Sequence, residues 1–106
     1  MKLRIHHQEL RFRLSPRDLE KLETQNSISD RLELSENVNW TYSLTLEKSG
    51  AGSAPNLVTT PLAFEMMLPE TEFRTWLAGP EIEWSYVQAE PKLDILIEKD
   101  LKPHRT

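Results

Sequence analysis

Leu10-Arg11-Phe12-Arg13-Leu14-Ser15-Pro16-Arg17-Asp18 is the stretch on which the fold turns. Its first five residues alternate apolar and basic side chains, the period-two signature of a strand with one buried face. Ser15-Pro16 supplies a cap hydroxyl and a proline at the first helical position, and Asp18 places a carboxylate three residues after the cap. A helix therefore begins with almost no loop. Upstream, Leu3 and Ile5 alternate in the same way, and the polar His6-His7-Gln8-Glu9 lies between the two runs, so residues 3–14 read as a β-hairpin. Leu19 and Leu22 give the helix a narrow apolar stripe that fades by Gln25-Asn26.

Downstream, Ile28, Leu32 and Leu34 and then Trp40, Tyr42, Leu44 and Leu46 alternate around the turn residues Ser35-Glu36-Asn37, predicting two more strands. Ser49-Gly50-Ala51-Gly52-Ser53-Ala54-Pro55-Asn56 holds two of the three glycines and reads as a connector. The order of elements then repeats. Leu57 to Thr59 and the run through Phe64, Met66 and Leu68 are strands separated by Thr60-Pro61. Phe73, Trp76 and Leu77 fall at helical spacing, with Gly79 placed to cap and Pro80 to stop that helix. Ile82, Trp84 and Tyr86 make one more strand, and Leu93, Ile95 and Ile97 the last.

Sliding the halves by 54 residues superimposes Leu3 on Leu57, Phe12 on Met66, Leu14 on Leu68, Leu19 on Phe73, Leu22 on Trp76 and Ile28 on Ile82. With the second half shortened by three residues, Leu44 to Lys48 falls on Ile95 to Lys99. The expected architecture is α+β: internally duplicated strand-strand-helix-strand-strand units that close into a small β-barrel or β-sandwich with two short helices. Residues 1–106 form one domain on this reading, with half one at 1–48, the connector at 49–56 and half two at 57–102.

A chain of 106 residues with 38% hydrophobic and 28% charged residues lies in the range of ordinary globular domains, with one core. Having no cysteine, it forms no disulfide, thiolate metal site or thiol nucleophile, and a reducing, cytoplasmic setting fits best. No apolar run exceeds three residues, so neither a signal peptide nor a membrane span is expected. The net charge of −4 is unevenly spread: residues 1–17 carry Lys2, Arg4, Arg11, Arg13 and Arg17 against Glu9 alone. Overall acidity argues against nucleic acid as a partner, while a basic face on an acidic body suits an anionic ligand.

Met1-Lys2-Leu3-Arg4-Ile5, Leu10-Arg11-Phe12-Arg13-Leu14 and Leu96-Ile97-Glu98-Lys99-Asp100-Leu101 together resemble a family of small uncharacterised bacterial proteins, a domain of unknown function. The resemblance covers nearly the whole chain and implies fold and lineage, with no catalytic residue to transfer. The tail departs from the family pattern: Leu101-Lys102-Pro103 stands where relatives place an aromatic residue and a cysteine. More distantly, Leu68-Pro69, Trp76-Leu77-Ala78-Gly79 and Ile97-Glu98-Lys99 are similar to bacterial transition-state regulators of the swapped-hairpin type, at the level of fold.

Among candidate sites the hairpin stands first. Arg4, Arg11 and Arg13 project away from the apolar side, and guanidinium forks suit phosphate or carboxylate groups. The competing expectation is that they pair across the sheet with Glu47, Glu98 or Asp94. His6 and His7, adjacent in an extended chain, would point to opposite sides and share no ion; a metal would need His104 or carboxylates from elsewhere. Glu81 with Glu83, and Glu98 with Asp100, are carboxylate pairs of the kind common on solvated strands. Trp40, Tyr42, Trp84 and Tyr86 are in phase with leucines and isoleucines, so core packing is expected of them ahead of base stacking. Met67, Val87 and Leu96 lie off the main apolar face; Met67 and Leu96, taken as neighbours, suggest a patch for homodimerisation. The sequence thus points to a binding or interaction module without cofactor or metal. The alternative is a small metal-dependent hydrolase acting on polyphosphate or nucleotides, using the arginines with Glu98.

Overall fold

The computed structural model describes residues 1–48 and 54–100. The expected elements are present: β1 (Lys2–His6), β2 (Glu9–Leu14), α1 (Pro16–Gln25), β3 (Ser27–Ser35), β4 (Val38–Glu47), β5 (Asn56–Thr60), β6 (Ala63–Pro69), α2 (Glu70–Ala78), β7 (Glu83–Gln88) and β8 (Leu93–Lys99). Asn56, expected in the connector, already belongs to β5, and residues 49–53 and 101–106, including His104 and the departing tail, lie outside the described residues.

The strands form two four-stranded sheets, β1-β2-β8-β7 and β3-β4-β6-β5. Each sheet takes one hairpin from each half, joined by a central parallel pair, β2 with β8 and β4 with β6. Phe12 of one sheet meets Phe64 of the other, ring centroids 6.2 Å apart, so the two apolar faces close on a shared core. The arrangement is a two-sheet sandwich, and among the described residues no pairing closes it into a barrel.

The duplication extends to individual hydrogen bonds. Asp94 N–H donates to Gln8 C=O at 2.8 Å, and Thr41 N–H donates to Leu62 C=O at 3.0 Å. Lys99 N–H donates to Ile82 C=O at 2.9 Å, and Leu46 N–H donates to Asn26 C=O at 2.8 Å. These equivalences keep the 54-residue offset for the first hairpin and helix but revise the rest. Leu44 corresponds to Ile97 and Ile28 to Trp84, since Met66 pairs with Leu44 as Phe12 does with Ile97, and Leu44 pairs with Ile28 as Ile97 does with Trp84. The expected matches of Ile28 with Ile82 and of Leu44 with Ile95 are thus each displaced by two residues. A two-residue slip keeps every side chain on its own face of the pleat, so alternation alone cannot detect it.

The revised register puts Lys99 where the first half has the buried Leu46. The helices explain the exchange. Helix α1 ends on Asn26 in the left-handed region (φ 65°), whose N–H returns to Leu22 C=O. Helix α2 ends on Gly79 with φ −87°, outside the left-handed region expected of a capping glycine. Gly79 N–H still returns to Thr75 C=O at 3.1 Å, and Lys99 Nζ completes the cap, donating to Trp76 C=O at 2.9 Å and Gly79 C=O at 2.9 Å while lying 5.0 Å from the Trp76 ring centroid. A cation there also opposes the partial negative charge of the helix end.

At the start of α1 the capping box forms as expected: Asp18 N–H donates to Ser15 Oγ at 3.1 Å, and Ser15 N–H donates to Asp18 Oδ2 at 3.0 Å. The Met1 ammonium lies 2.9 Å from the same carboxylate oxygen. Burial works to raise the Asp18 pKa, but the ammonium and Ser15 outweigh it and hold the carboxyl below its ordinary value.

Lys99→Met keeps an unbranched stem beside Trp76 and removes the ammonium; it is expected to lower stability by about 1–2 kcal/mol in denaturant titration, whereas an unchanged midpoint would deny the cap any role. Asp18→Asn should cost about 1 kcal/mol at neutral pH. Because the folded Asp18 pKa is depressed, its contribution is present above the ordinary carboxylate value and lost as pH falls through the folded one. The gap between wild type and Asp18→Asn should therefore narrow on acidification.

Candidate functional site

In β2 the buried Leu10, Phe12 and Leu14 face the core, which turns Glu9, Arg11 and Arg13 onto the outer face of the sheet. The antiparallel register sets Arg4 of β1 directly opposite Arg11, and Lys2 opposite Arg13. Four cations thus form two like-charged cross-strand pairs, an arrangement that weakens a sheet unless anions answer it. Lys2, Leu3, Arg4, Arg11 and Arg13 line a surface depression of about 320 Å³.

Two acids answer part of this charge. Glu98 of β8 stands opposite Arg13, and its Oε1 lies 3.3 Å from Arg11 Nη1 and 3.8 Å from Arg13 Nε. Glu9 approaches Arg11 Nη2 at 3.5 Å. Glu98 and, to a lesser degree, Glu9 push the Arg11 pKa up against the opposing effect of desolvation. The pairing is imperfect, since Glu98 Oε1 and Arg11 Nε are buried without an aligned hydrogen bond. Lys2 and Arg4 have no ion-pair partner among the described residues.

The arginine hairpin and its pairing with acids are therefore both present, divided by position. Arg11 and Arg13 turn inward along the sheet to Glu98, and Arg4 at the edge stays open. Lys2 completes the set, and the strand alternation that selected Arg4 already placed Lys2 on the same face.

Other candidates fall elsewhere. Met67 and Leu96 are not neighbours: Met67 is on β6 of the other sheet, while Leu96 shares the outer face of this one with Val87. The patch inferred from the three residues is thereby split. His7 adopts φ 52°, so the extended-chain expectation fails and the His6 and His7 rings lie 4.2 Å apart. No cluster of three or more metal-ligating side chains occurs among the described residues. Glu83 and Glu98 face each other across β7 and β8, a carboxylate pair formed between strands. Trp40, Tyr42, Trp84 and Tyr86 pack against the core as expected.

No helix among the described residues is long and apolar enough to cross a membrane. Fold and face together define an internally duplicated α+β protein with exchanged hairpins and a half-neutralised basic surface. The chain belongs to a family of unknown function, DUF7009, whose model matches residues 1–104. No curated protein and no solved structure matches it.

The Arg11–Glu98 contact is partly buried, with 14% of the Glu98 side chain exposed. A double-mutant cycle with Arg11→Ala and Glu98→Gln should give a coupling energy of about 1 kcal/mol; additive effects would make the contact incidental.

Proposed function

We propose that the protein is a binding module that holds an anionic group, phosphate or carboxylate, on the outer face of the β1–β2 hairpin. The observation that carries this reading is the pairing of Lys2 with Arg13 and of Arg4 with Arg11, four cations around one depression answered by two carboxylates. Arg4 and Lys2 offer the uncommitted charge, and Arg11 and Arg13, drawn toward Glu98, lie beside them on the neighbouring strand. Guanidinium groups present planar forks to oxyanions and remain charged at any physiological pH, which suits such a role. The acidic remainder of the chain limits the footprint to a compact anionic group, in contrast to a long polyanion lying across the surface.

A hydrolase would need Glu98 to ligate a divalent cation. Glu98 instead sits between two guanidinium groups, which gives that reading no support.

Retention on phosphocellulose at low ionic strength should weaken steeply with added salt and be largely lost in Arg4→Gln combined with Lys2→Gln. Both residues stand outside the ion pairs described above, so folding should be unaffected. Glu98→Gln, by freeing two guanidinium groups, should elute later than wild type. Equal elution of all three proteins would overturn the reading.

A further inference from the structure

Each sheet leaves two edge strands: β1 and β7 in one, β3 and β5 in the other. An open edge displays unpaired N–H and C=O groups and is usually guarded by charge, proline or a cover. Lys2 and Arg4 guard β1, and Asp30, Arg31 and Glu33 guard β3. β5, Asn56–Thr60, carries no charge but has no aromatic residue to pair across an edge. β7, Glu83-Trp84-Ser85-Tyr86-Val87-Gln88, has one charge at its first position and no proline or lysine. Its core-side residues Trp84 and Tyr86 are only half-buried, and Val87 on the outer face is 55% exposed.

The hydrogen-bonding phase of this edge is determined. Lys99 N–H donates to Ile82 C=O, so Ile82, Trp84, Tyr86 and Gln88 direct their backbone groups toward β8. Glu83, Ser85 and Val87 then direct theirs outward. We propose that this edge binds β7 of a second copy in antiparallel register, with Ser85 opposite the partner's Ser85.

That register follows from side-chain complementarity. It pairs Glu83 with the partner's Val87 and satisfies all three outward residues of each strand, giving six backbone hydrogen bonds by the alternation rule for antiparallel ladders. On the core face Trp84 comes opposite the partner's Tyr86, twice by symmetry, and aromatic cross-strand pairs are among the favourable ones. The two Glu83 carboxylates end ~14 Å apart, beyond the screening length at physiological salt. Corresponding self-pairing of β1 about Arg4 would put Arg4 against Arg4, so charge selects β7 over β1.

The product is an eight-stranded sheet with β1 at both outer ends. Its two basic depressions, each between β1 and β2, lie on the same face, ~29 Å apart along the sheet at the usual strand spacing. The dimer does not depend on the anion site, since its contacts are at the opposite edge.

Sedimentation velocity on the full chain, run from micromolar to millimolar concentration, tests the proposal. Wild type should shift from monomer to dimer. Ser85→Pro removes an outward N–H that the monomer does not use, and Val87→Lys adds charge at an exposed position; each should keep the protein monomeric with its circular dichroism unchanged. In this cysteine-free chain, Ser85→Cys should be cross-linked efficiently by a short bismaleimide and Leu96→Cys, on the same face but one strand in, should not. A wild type that stays monomeric overturns the proposal, as does a dimer that survives both edge variants or equal cross-linking at the two positions. Phosphocellulose retention by Val87→Lys reports separately on the anion site.

Discussion

Parallel pairing between the halves is the constraint on which the rest depends. Each half contributes two hairpins joined by a helix, and neither hairpin has its partner within its own half. Isolated hairpins are marginal in water, and three or more strands with a buried face are needed for independent stability. The central strands β2 and β8, and likewise β4 and β6, supply that missing neighbour from far along the chain. The helices carry the chain from one sheet to the other, and Leu19, Leu22, Phe73 and Trp76 bury their apolar stripes in the core. The core that results draws buried side chains from both sheets and both helices.

Once two copies share one core, they are free to differ where the core does not hold them. The substitution of a lysine for a buried leucine beneath α2 is one such divergence, matched by the way each helix ends. The outer faces show another. At the position of Arg13 the second half has Met67, and at that of Arg11 it has Glu65, which accepts a 2.8 Å hydrogen bond from Thr45. The same geometric slot is a cationic surface in one sheet and a hydroxyl-lined one in the other.

The element order was legible because strand alternation and cap chemistry are local: Ser15-Pro16 and Asp18 start a helix whatever surrounds them. The repeat was legible for the same reason. Its register was not, because Leu44, Ile95 and Ile97 are interchangeable to a period-two pattern and only the hydrogen bonds distinguish them. The supposed Met67 and Leu96 patch failed because sheet membership is a long-range property, invisible to alternation. At the candidate site the face of each arginine could be read from parity. The division between a buried Arg11–Glu98 contact and an open Arg4 required knowing that β8, and not β4, lies beside β2.

The pairing of Glu9 with Asp94 also sets a schedule for the ribosome. The first hairpin is made before every other element, but the strand that completes its sheet is the last of the eight described, and contacts of such sequence separation are slow to form. Until then β2 has an open side with its apolar face uncovered. A nascent chain stalled before β8 would already hold β6, the partner of the β3–β4 hairpin, but not the strand that pairs with β2, so the β3-β4-β6-β5 sheet can assemble first and the β1-β2-β8-β7 sheet only afterwards. Arg4, Arg11 and Arg13 on that waiting hairpin are like charges that oppose premature sheet growth between nascent chains, so the same alternation that builds the strand also guards it until its partner arrives.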